Sequence, residues 1–192
     1  MRQIFLILAV IVVIVSRSAI ASEFSHDGIL ITFPNDYAER KITHLENLTT
    51  YQLTHGYGNG SPQEVIEVFI HIRDISREPG AQARINEKGA AHETELSLAV
   101  AVRNVFSFPE FRLVKDFQSL NISGNKAATV TVSYAARYAA SRWTSGVVNE
   151  TTYCITQSTR TIEFKVMALP DVPLELLSST MKAIEGASIQ AP

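Results

Sequence analysis

The chain has very little cysteine, because Cys154 is the only one among its 192 residues. A single cysteine excludes an intramolecular disulfide framework, so the protein must depend on its apolar core for stability. Cys154 lies in a strand-like run, without a Cys-x-x-Cys spacing or a basic neighbour in sequence that would lower its pKa. We therefore expect a buried structural cysteine and no reactive thiol.

The chain also lacks an excess of charge of one sign. It has 17 Lys and Arg against 19 Asp and Glu, a formal net charge of −2, and its basic residues are scattered singly. Nucleic-acid binding requires a basic patch or stripe that neutralises phosphates. The composition therefore excludes nucleic acid as the expected partner.

Long apolar runs are absent beyond residues 4–15, a stretch of 12 residues, whereas a membrane-spanning helix needs about 20. Arg2 precedes this run, and the small residues Ala19 and Ala21 follow it, which is the pattern of a secretory signal peptide. We expect residues 1–21 to be the signal peptide, cleaved between Ala21 and Ser22. The mature protein would then be secreted or periplasmic, without stable membrane insertion; the alternative is an uncleaved signal anchor that tethers it to the membrane.

Removal of residues 1–21 leaves residues 22–192, a length suited to one domain and too short for two comfortable ones. No internal repeat or low-complexity tract divides this part. The sequence therefore predicts a single domain.

The nucleophile-elbow motif and the histidine spacings typical of metal sites are missing as well. There is no Gly-x-Ser-x-Gly elbow, and the acidic residues are dispersed. Five histidines occur, without His-x-His or His-x-x-x-His spacing: His26, His44, His55, His71 and His92. Two of them, His55 and His71, could meet across neighbouring strands, but a solvated sheet face is the ordinary explanation and the one we favour. We predict no metal, no cofactor and no enzymatic activity.

The longest helix-compatible segment is residues 81–106, rich in Ala, Leu, Glu and Arg and followed by Pro109 as a stop signal. Its predicted core stripe has three- and four-residue steps: Ile85, Gly89, His92, Leu96, Ala99, Val100 and Arg103. Short strand-like runs precede it and longer ones follow it. The pattern predicts a crossover helix lying on an antiparallel sheet.

Strand alternation is clearest between residues 127 and 168, where three consecutive strands predict a meander with Phe164 in the core. Earlier in the chain, residues 28–33, the pair 41–45 and 49–55, and residues 65–74 are expected to be strands. A final helix should follow, capped by Asp171, with Pro173 at its start and Gly186 at its end. Its expected apolar stripe is Leu174, Leu177, Met181 and Ile184.

Two segments stand out at the ends of the domain: Gly28-Ile29-Leu30-Ile31-Thr32-Phe33-Pro34-Asn35-Asp36-Tyr37 at one end, and residues 162–168, Pro170 and Ile184-Glu185-Gly186-Ala187-Ser188 at the other. These segments resemble the opening and closing parts of the PsbP-like family. Tyr37 stands where the family more often has tryptophan. The resemblance implies an α+β domain, an α/β/α sandwich in which a long helix and a C-terminal helix flank an antiparallel sheet. It implies no catalytic residues, because the family shares none.

Three functions remain open. We prefer an exported, non-enzymatic accessory module that binds a protein partner, and we expect the partner at Trp143, Arg142, Tyr138 and Arg137, residue types that anchor interfaces. The alternative for Trp143 is a lid on the core. A small-molecule or lipid carrier would need a cavity between sheet and helix, where Gly89 could mark a close approach. A hydrolase would need a site assembled from residues remote in sequence.

Overall fold

The computed structural model describes residues 21–56, 65–136 and 146–192. Within these ranges the chain forms ten strands and three helices. The strands are β1 (Ser22–His26), β2 (Ile29–Phe33), β3 (Ala38–Leu45), β4 (Leu48–His55), β5 (Ile66–Asp74), β6 (Arg112–Ile122), β7 (Asn125–Ala136), β8 (Gly146–Thr156), β9 (Arg160–Ala168) and β10 (Ser188–Ile189). The helices are α1 (Pro79–Lys88), α2 (Ala90–Phe106) and α3 (Leu174–Glu185).

Seven strands form one antiparallel sheet in the order β3-β4-β5-β9-β8-β7-β6. The predicted hairpin of β3 and β4 and the predicted meander of β7, β8 and β9 are confirmed. The helices α1 and α2 carry the chain from β5, inside the sheet, to β6 at its edge, as the crossover prediction required.

A second, three-stranded sheet has the order β1-β2-β10 and was not predicted. Residues 22–26, for which no strand was predicted, pair with β2 through a turn at Asp27 and Gly28, which have φ angles of 50° and 71°. An Asp-Gly pair between two strands is a strong hairpin signal, because both central residues of that turn need positive φ. This dipeptide was the sequence signal that would have revealed β1.

One core lies between the large sheet, the small sheet and α3. It contains Phe24, Ile31 and Phe33 from the small sheet, together with Phe164, which is fully buried as predicted. The Tyr37 hydroxyl and the Thr180 hydroxyl, 2.6 Å apart, form a buried hydrogen bond that fixes α3 against the strands.

The long helix over residues 81–106 is wrong as a single element, because the chain forms two helices that meet at Gly89. Gly89 has φ 85° and ψ 163°, a conformation that is essentially restricted to glycine. An added Cβ at Gly89 would meet nothing within 4 Å, so the expected close approach is also wrong. Glycine is needed here for the backbone direction.

The start of α3 differs from the prediction too. The helix begins at Leu174 with Pro173 in the N-cap position, and no side chain caps it, so the assignment of Asp171 as the cap is wrong. Leu174 is largely exposed, whereas Leu177 and Met181 pack on the core and Ile184 is buried within it. Gly186 follows the last helical residue, as expected.

The architecture is therefore an α+β sandwich. The large antiparallel sheet carries α1 and α2 on one face, and α3 with the small sheet on the other. The predicted fold class is confirmed. The layer that the sequence did not predict is the small sheet.

Candidate functional site

The face of the large sheet that carries the helices is divided into a polar half and an apolar half. The register aligns Thr50, His71, Glu163, Cys154 and Ala128 in one row across β4, β5, β9, β8 and β7. The next row is Gln52, Phe69, Lys165, Thr152 and Val130. Polar side chains thus dominate over β4, β5 and β9, and apolar ones over β7.

Helix α2 contacts mainly β7 and β8. The stripe that it buries there is Thr94, Leu98, Ala101 and Val105. The core stripe predicted from the sequence is therefore wrong: Leu96 and Val100 are 38% and 39% exposed. Successive residues on a helix are separated by about 100° around its axis. The predicted stripe therefore lies on a neighbouring side of α2, which is turned toward the polar half of the sheet.

A groove opens between the helix pair and the polar half of the sheet, with a volume of about 400 Å³. We call it the helix–sheet groove. Its lining comprises Leu48, His71, Arg73, Glu78, Arg84, Glu93, Leu96, Ser97, Val100, Ala101, Asn104, Thr161 and Glu163. A cleft of this size is within the usual range for small-ligand sites. One of its walls is formed by the second stripe of α2, the part that sequence periodicity had assigned to the core.

Two ion pairs lie in the walls of the groove. The Arg84 guanidinium donates two hydrogen bonds to Glu93, with N–O distances of 2.6 and 2.8 Å. Glu93 is only 1% exposed, and this pair connects α1 with α2 across the break at Gly89. Arg73 approaches Glu78 at 3.6 Å, with both side chains partly exposed. Both arginines that line the groove therefore already have a carboxylate partner.

The floor contains a second set of charges. The Lys165 ammonium lies 3.0 Å from Glu163 and 3.7 Å from Glu150. Burial lowers the pKa of Lys165, but the two carboxylates outweigh burial and raise that pKa above its ordinary value. Glu150 is buried and also accepts hydrogen bonds from the hydroxyls of Tyr134 and Thr152. Lys165 is thus held charged between two carboxylates.

His71 is kept neutral in the floor of the groove. Burial lowers its pKa, the Glu163 carboxylate raises it, and Lys165 lowers it further, with a net decrease. Its Nδ1 lies 2.9 Å from the Thr50 hydroxyl oxygen. On the opposite wall, the Ser97 hydroxyl is buried and has no hydrogen-bond partner among the described residues. A buried hydroxyl without a partner loses hydration without compensation, so a ligand that hydrogen-bonds to Ser97 would gain free energy.

Further along β5 on the same face, Glu67 is only 4% exposed. The Gln52 amide donates to its Oε1 over 3.2 Å, whereas Oε2 has no partner in the described ranges. Burial raises the pKa of this carboxyl, and the hydrogen bond from Gln52 lowers it only in part. Glu67 is therefore a buried acid whose ionisation is unfavourable.

The predicted burial of Cys154 is confirmed. Its side chain is fully buried, and burial raises the pKa of the thiol well above its usual range. Such a thiol is a poor nucleophile at neutral pH.

His55 and His71 do not meet, because His55 pairs with Ile66 and His71 pairs with Thr50, five residues away on β4. His55 contacts the carbonyl oxygen of Asp36, His26 contacts Glu39, and His44 contacts Thr49. Over residues 21–56, 65–136 and 146–192, no three His, Cys, Asp or Glu side chains lie close enough to hold a metal ion.

The residues predicted to bind a partner, Trp143, Arg142, Tyr138 and Arg137, lie outside the described residues. These residues come after β7, which ends at Ala136. At the other end of the chain, Ser22 is the first residue of β1, and its hydroxyl donates to the Asn35 carbonyl oxygen over 2.9 Å. Cleavage between Ala21 and Ser22 stays a prediction. In the described part, no helix is long and apolar enough to cross a membrane.

Comparisons with known proteins identify the fold and leave the family open. No family model matches the chain, and no curated protein matches its sequence. A solved structure of a protein of unknown function, PA94 of Pseudomonas aeruginosa, has a TM-score of 0.52 and 12% identity, covering 90% of this chain and 98% of that one. LpqN of Mycobacterium tuberculosis, involved in cell envelope biogenesis, has a TM-score of 0.49 and 11% identity, covering 90% and 91%. The chain thus shares its overall fold with the Pseudomonas protein.

Sequence reasoning missed every residue of the helix–sheet groove as a site residue. The groove combines residues from β4, β5, α1, α2 and β9, and its first and last lining residues, Leu48 and Glu163, are separated by more than half of the chain. Two signals were present in the sequence: the alternation of Glu67, His71 and Arg73 on β5, and the polar residues Glu93, Ser97 and Asn104 at helical spacing. Neither signal shows by itself that this side of β5 and this side of α2 face each other.

Proposed function

We propose that this protein is an exported, non-enzymatic binding module that holds a small ligand in the helix–sheet groove. The observation that carries the proposal is the groove itself, about 400 Å³ in volume, with the partnerless hydroxyl of Ser97 in its wall. A cleft with an apolar wall and a few inward polar groups is the usual form of a ligand site. This proposal selects the carrier alternative, because that function required a cavity between sheet and helix.

The non-enzymatic assignment is supported by the state of the side chains around the groove. Glu93, Glu163 and Lys165 are bound in ion pairs, and the thiol of Cys154 is buried and protonated. Membership of the PsbP-like family is part of the proposal. Its support is the residue likeness at both ends of the domain and the placement of helices on both faces of the sheet.

Native mass spectrometry of the protein purified from its own host tests the proposal. We expect a bound small molecule in the parent and its loss in Val100→Trp, because the larger side chain would fill the groove from α2. Ala99→Trp is the matched control, since Ala99 is exposed on the same helix and does not line the groove. Both variants should melt close to the parent temperature.

Retention of the ligand by both tryptophan variants would place its site elsewhere. A parent protein without any bound small molecule, and without binding at the groove in an NMR screen of small polar and amphipathic compounds, would contradict the proposal.

A second candidate is the accessory function through protein contacts. Exposed apolar side chains gather where α2 ends and β6 begins: Phe106 packs against Phe111 with ring centroids 5.1 Å apart, and Phe108 packs against Tyr134 at 5.2 Å. Ala135 donates its amide to the Pro109 carbonyl oxygen, so this cluster lies beside the end of β7. Trp143→Ala should weaken capture of the native envelope partner while leaving the melting temperature nearly unchanged. A large loss of stability would instead assign the ring to the core.

A further inference from the structure

The charges around the helix–sheet groove do not balance. The groove lining and the buried cluster beneath it contain three cationic side chains, Arg73, Arg84 and Lys165, among the described residues. They also contain four carboxylates, those of Glu78, Glu93, Glu150 and Glu163. His71 adds no compensating charge, because burial keeps its imidazole neutral. One negative charge in this region is therefore not neutralised by a partner.

The excess charge is located on the floor. Arg84 is bound to Glu93 and Arg73 to Glu78, so each arginine is balanced by a carboxylate within its own pair. The single ammonium of Lys165 is shared between Glu150, which is buried, and Glu163, which lines the groove. Glu163 has the shorter contact with Lys165, 3.0 Å against 3.7 Å for Glu150. Glu150, however, is buried and also receives two hydroxyl hydrogen bonds, so Glu163 is the carboxylate that faces the open groove while it shares its cation.

The opposite wall, formed by α2, contains apolar side chains beside Ser97 and Asn104. Leu96 and Val100 of α2 are partly exposed, and both line the groove together with Leu48 of β4. A wall with apolar side chains facing a negatively charged floor is complementary to a molecule that has an apolar body and a cationic head. Partial burial strengthens the attraction between the head group and Glu163 relative to the same pair in water.

We infer that the helix–sheet groove selects a small organic cation, a primary ammonium or guanidinium group on an apolar body, with Glu163 as the binding carboxylate. This inference rests on the proposed ligand-binding function and adds the chemical class of the ligand. Glu163 receives the cationic head, the Ser97 hydroxyl accepts a hydrogen bond from it or donates one to a neighbouring acceptor, and Leu96 and Val100 contact the body.

The test is an NMR titration of the full mature chain with three probes of equal length: hexylamine, hexanol and hexanoate. We expect hexylamine, which is protonated at neutral pH, to shift the amide signals of His71, Ser97 and Glu163. It should bind about tenfold more tightly than the other two, since tenfold is the scale of one well-placed charge interaction. Added salt should weaken binding of hexylamine and leave hexanol unchanged.

The matched variants are Glu163→Gln and Glu175→Gln. Glu163→Gln should bring hexylamine to the affinity of hexanol, whereas Glu175, exposed on α3 at the other face of the sheet, should have no influence. If Glu163→Gln does not fold, the salt dependence of hexylamine binding to the parent protein tests the inference instead. An additional titration with Nα-acetyl-lysine methylamide distinguishes a free amine from a lysine side chain of a peptide as the source of the cation.

Tighter binding of hexanoate would overturn the inference and assign ligand selection to the two arginines. Equal binding of all three probes in the groove would also overturn it, while the proposed ligand-binding function would stand. If no probe shifts these signals, the inference fails, and the ligand found on the host-purified protein decides the proposed function independently.

Discussion

The two faces of the seven-stranded sheet bury their apolar side chains over different halves. Beneath α3 and the small sheet, β4, β5 and β9 supply the core through residues such as Leu53, Ile70 and Phe164. Beneath α2, the apolar surface is mainly that of β7, with Val130 and Val132, and β9 presents Lys165 instead. Strands β7 and β9 both alternate between apolar and polar side chains, but their apolar sides face opposite layers of the protein.

This difference explains why the helix–sheet groove lies on the face that carries α2. On their own face, the small sheet and α3 cover the apolar halves of β5 and β9. On the other face α2 covers the apolar surface of β7 and β8 and leaves the polar half of the sheet beside it. Covering charged side chains such as Glu163 would carry a desolvation cost that no apolar contact repays. The position of α2 therefore follows the apolar half and leaves the groove open.

Truncation of a large side chain in the core beneath α3 and the small sheet should have the largest effect. Phe164→Ala is expected to lower the free energy of unfolding by about 3–5 kcal/mol, because it empties a fully buried site. Phe69→Ala is the matched control: Phe69 lies on β5 facing the groove side, is partly exposed and stacks on His71. Urea denaturation should give a clearly smaller loss for Phe69→Ala. Equal losses would remove the distinction between the faces.

The two stripes of α2 provide the next comparison. Leu98→Ala should cost about 2–5 kcal/mol, since Leu98 is fully buried on β7 and β8. Leu96→Ala should cost less, about 1 kcal/mol, because Leu96 lines an open groove and is 38% exposed. Thermal and urea unfolding of both variants measures the difference. A larger loss for Leu96→Ala would support the stripe that the sequence predicted.

Breaking the ion pair at the end of the groove should have a smaller effect. Arg84→Met leaves the buried Glu93 carboxylate without its bidentate partner and should lower stability, by less than the two core truncations do. Adding Glu93→Gln removes the uncompensated charge and should recover part of the loss. A double-mutant cycle by urea denaturation measures this coupling. An unchanged Arg84→Met variant would show that water solvates Glu93 adequately.

The smallest expected effect depends on pH. The pKa of Glu67 is raised in the folded state. The protonated carboxyl therefore contributes stability that is fully present below the ordinary pKa of the group, and this stability is lost as the pH rises through the pKa of the folded state. Glu67→Gln should therefore be stabilising at neutral pH, and its advantage should shrink from about pH 8 to about pH 4. Melting curves of parent and variant across this range test it, with Glu175→Gln as the exposed control. An advantage that grows on acidification would reverse the sign.

Much of the fold was predictable because it depends on local periodicity. Alternation identified the strands of the meander and the residues on each side of them, and Pro109 and Gly186 marked helix ends correctly. The break at Gly89 and the cap of α3 were not predicted, since both depend on backbone angles that a propensity does not specify. The groove residues were missed because they come from five separate elements.

The sequence by itself determined which alternate residues of each strand are apolar, since a strand exposes successive side chains to opposite sides. Only the tertiary structure decided which layer each apolar side faces. That choice depends on register: Phe164 is paired with Tyr153 and Ile70, and Lys165 with Thr152 and Phe69. A shift of one residue in the pairing would exchange the two faces of a strand completely. The burial of the apolar side chains against α3 therefore places the polar side chains on the other face of the sheet, the face that carries α2. The groove is the consequence of that pairing.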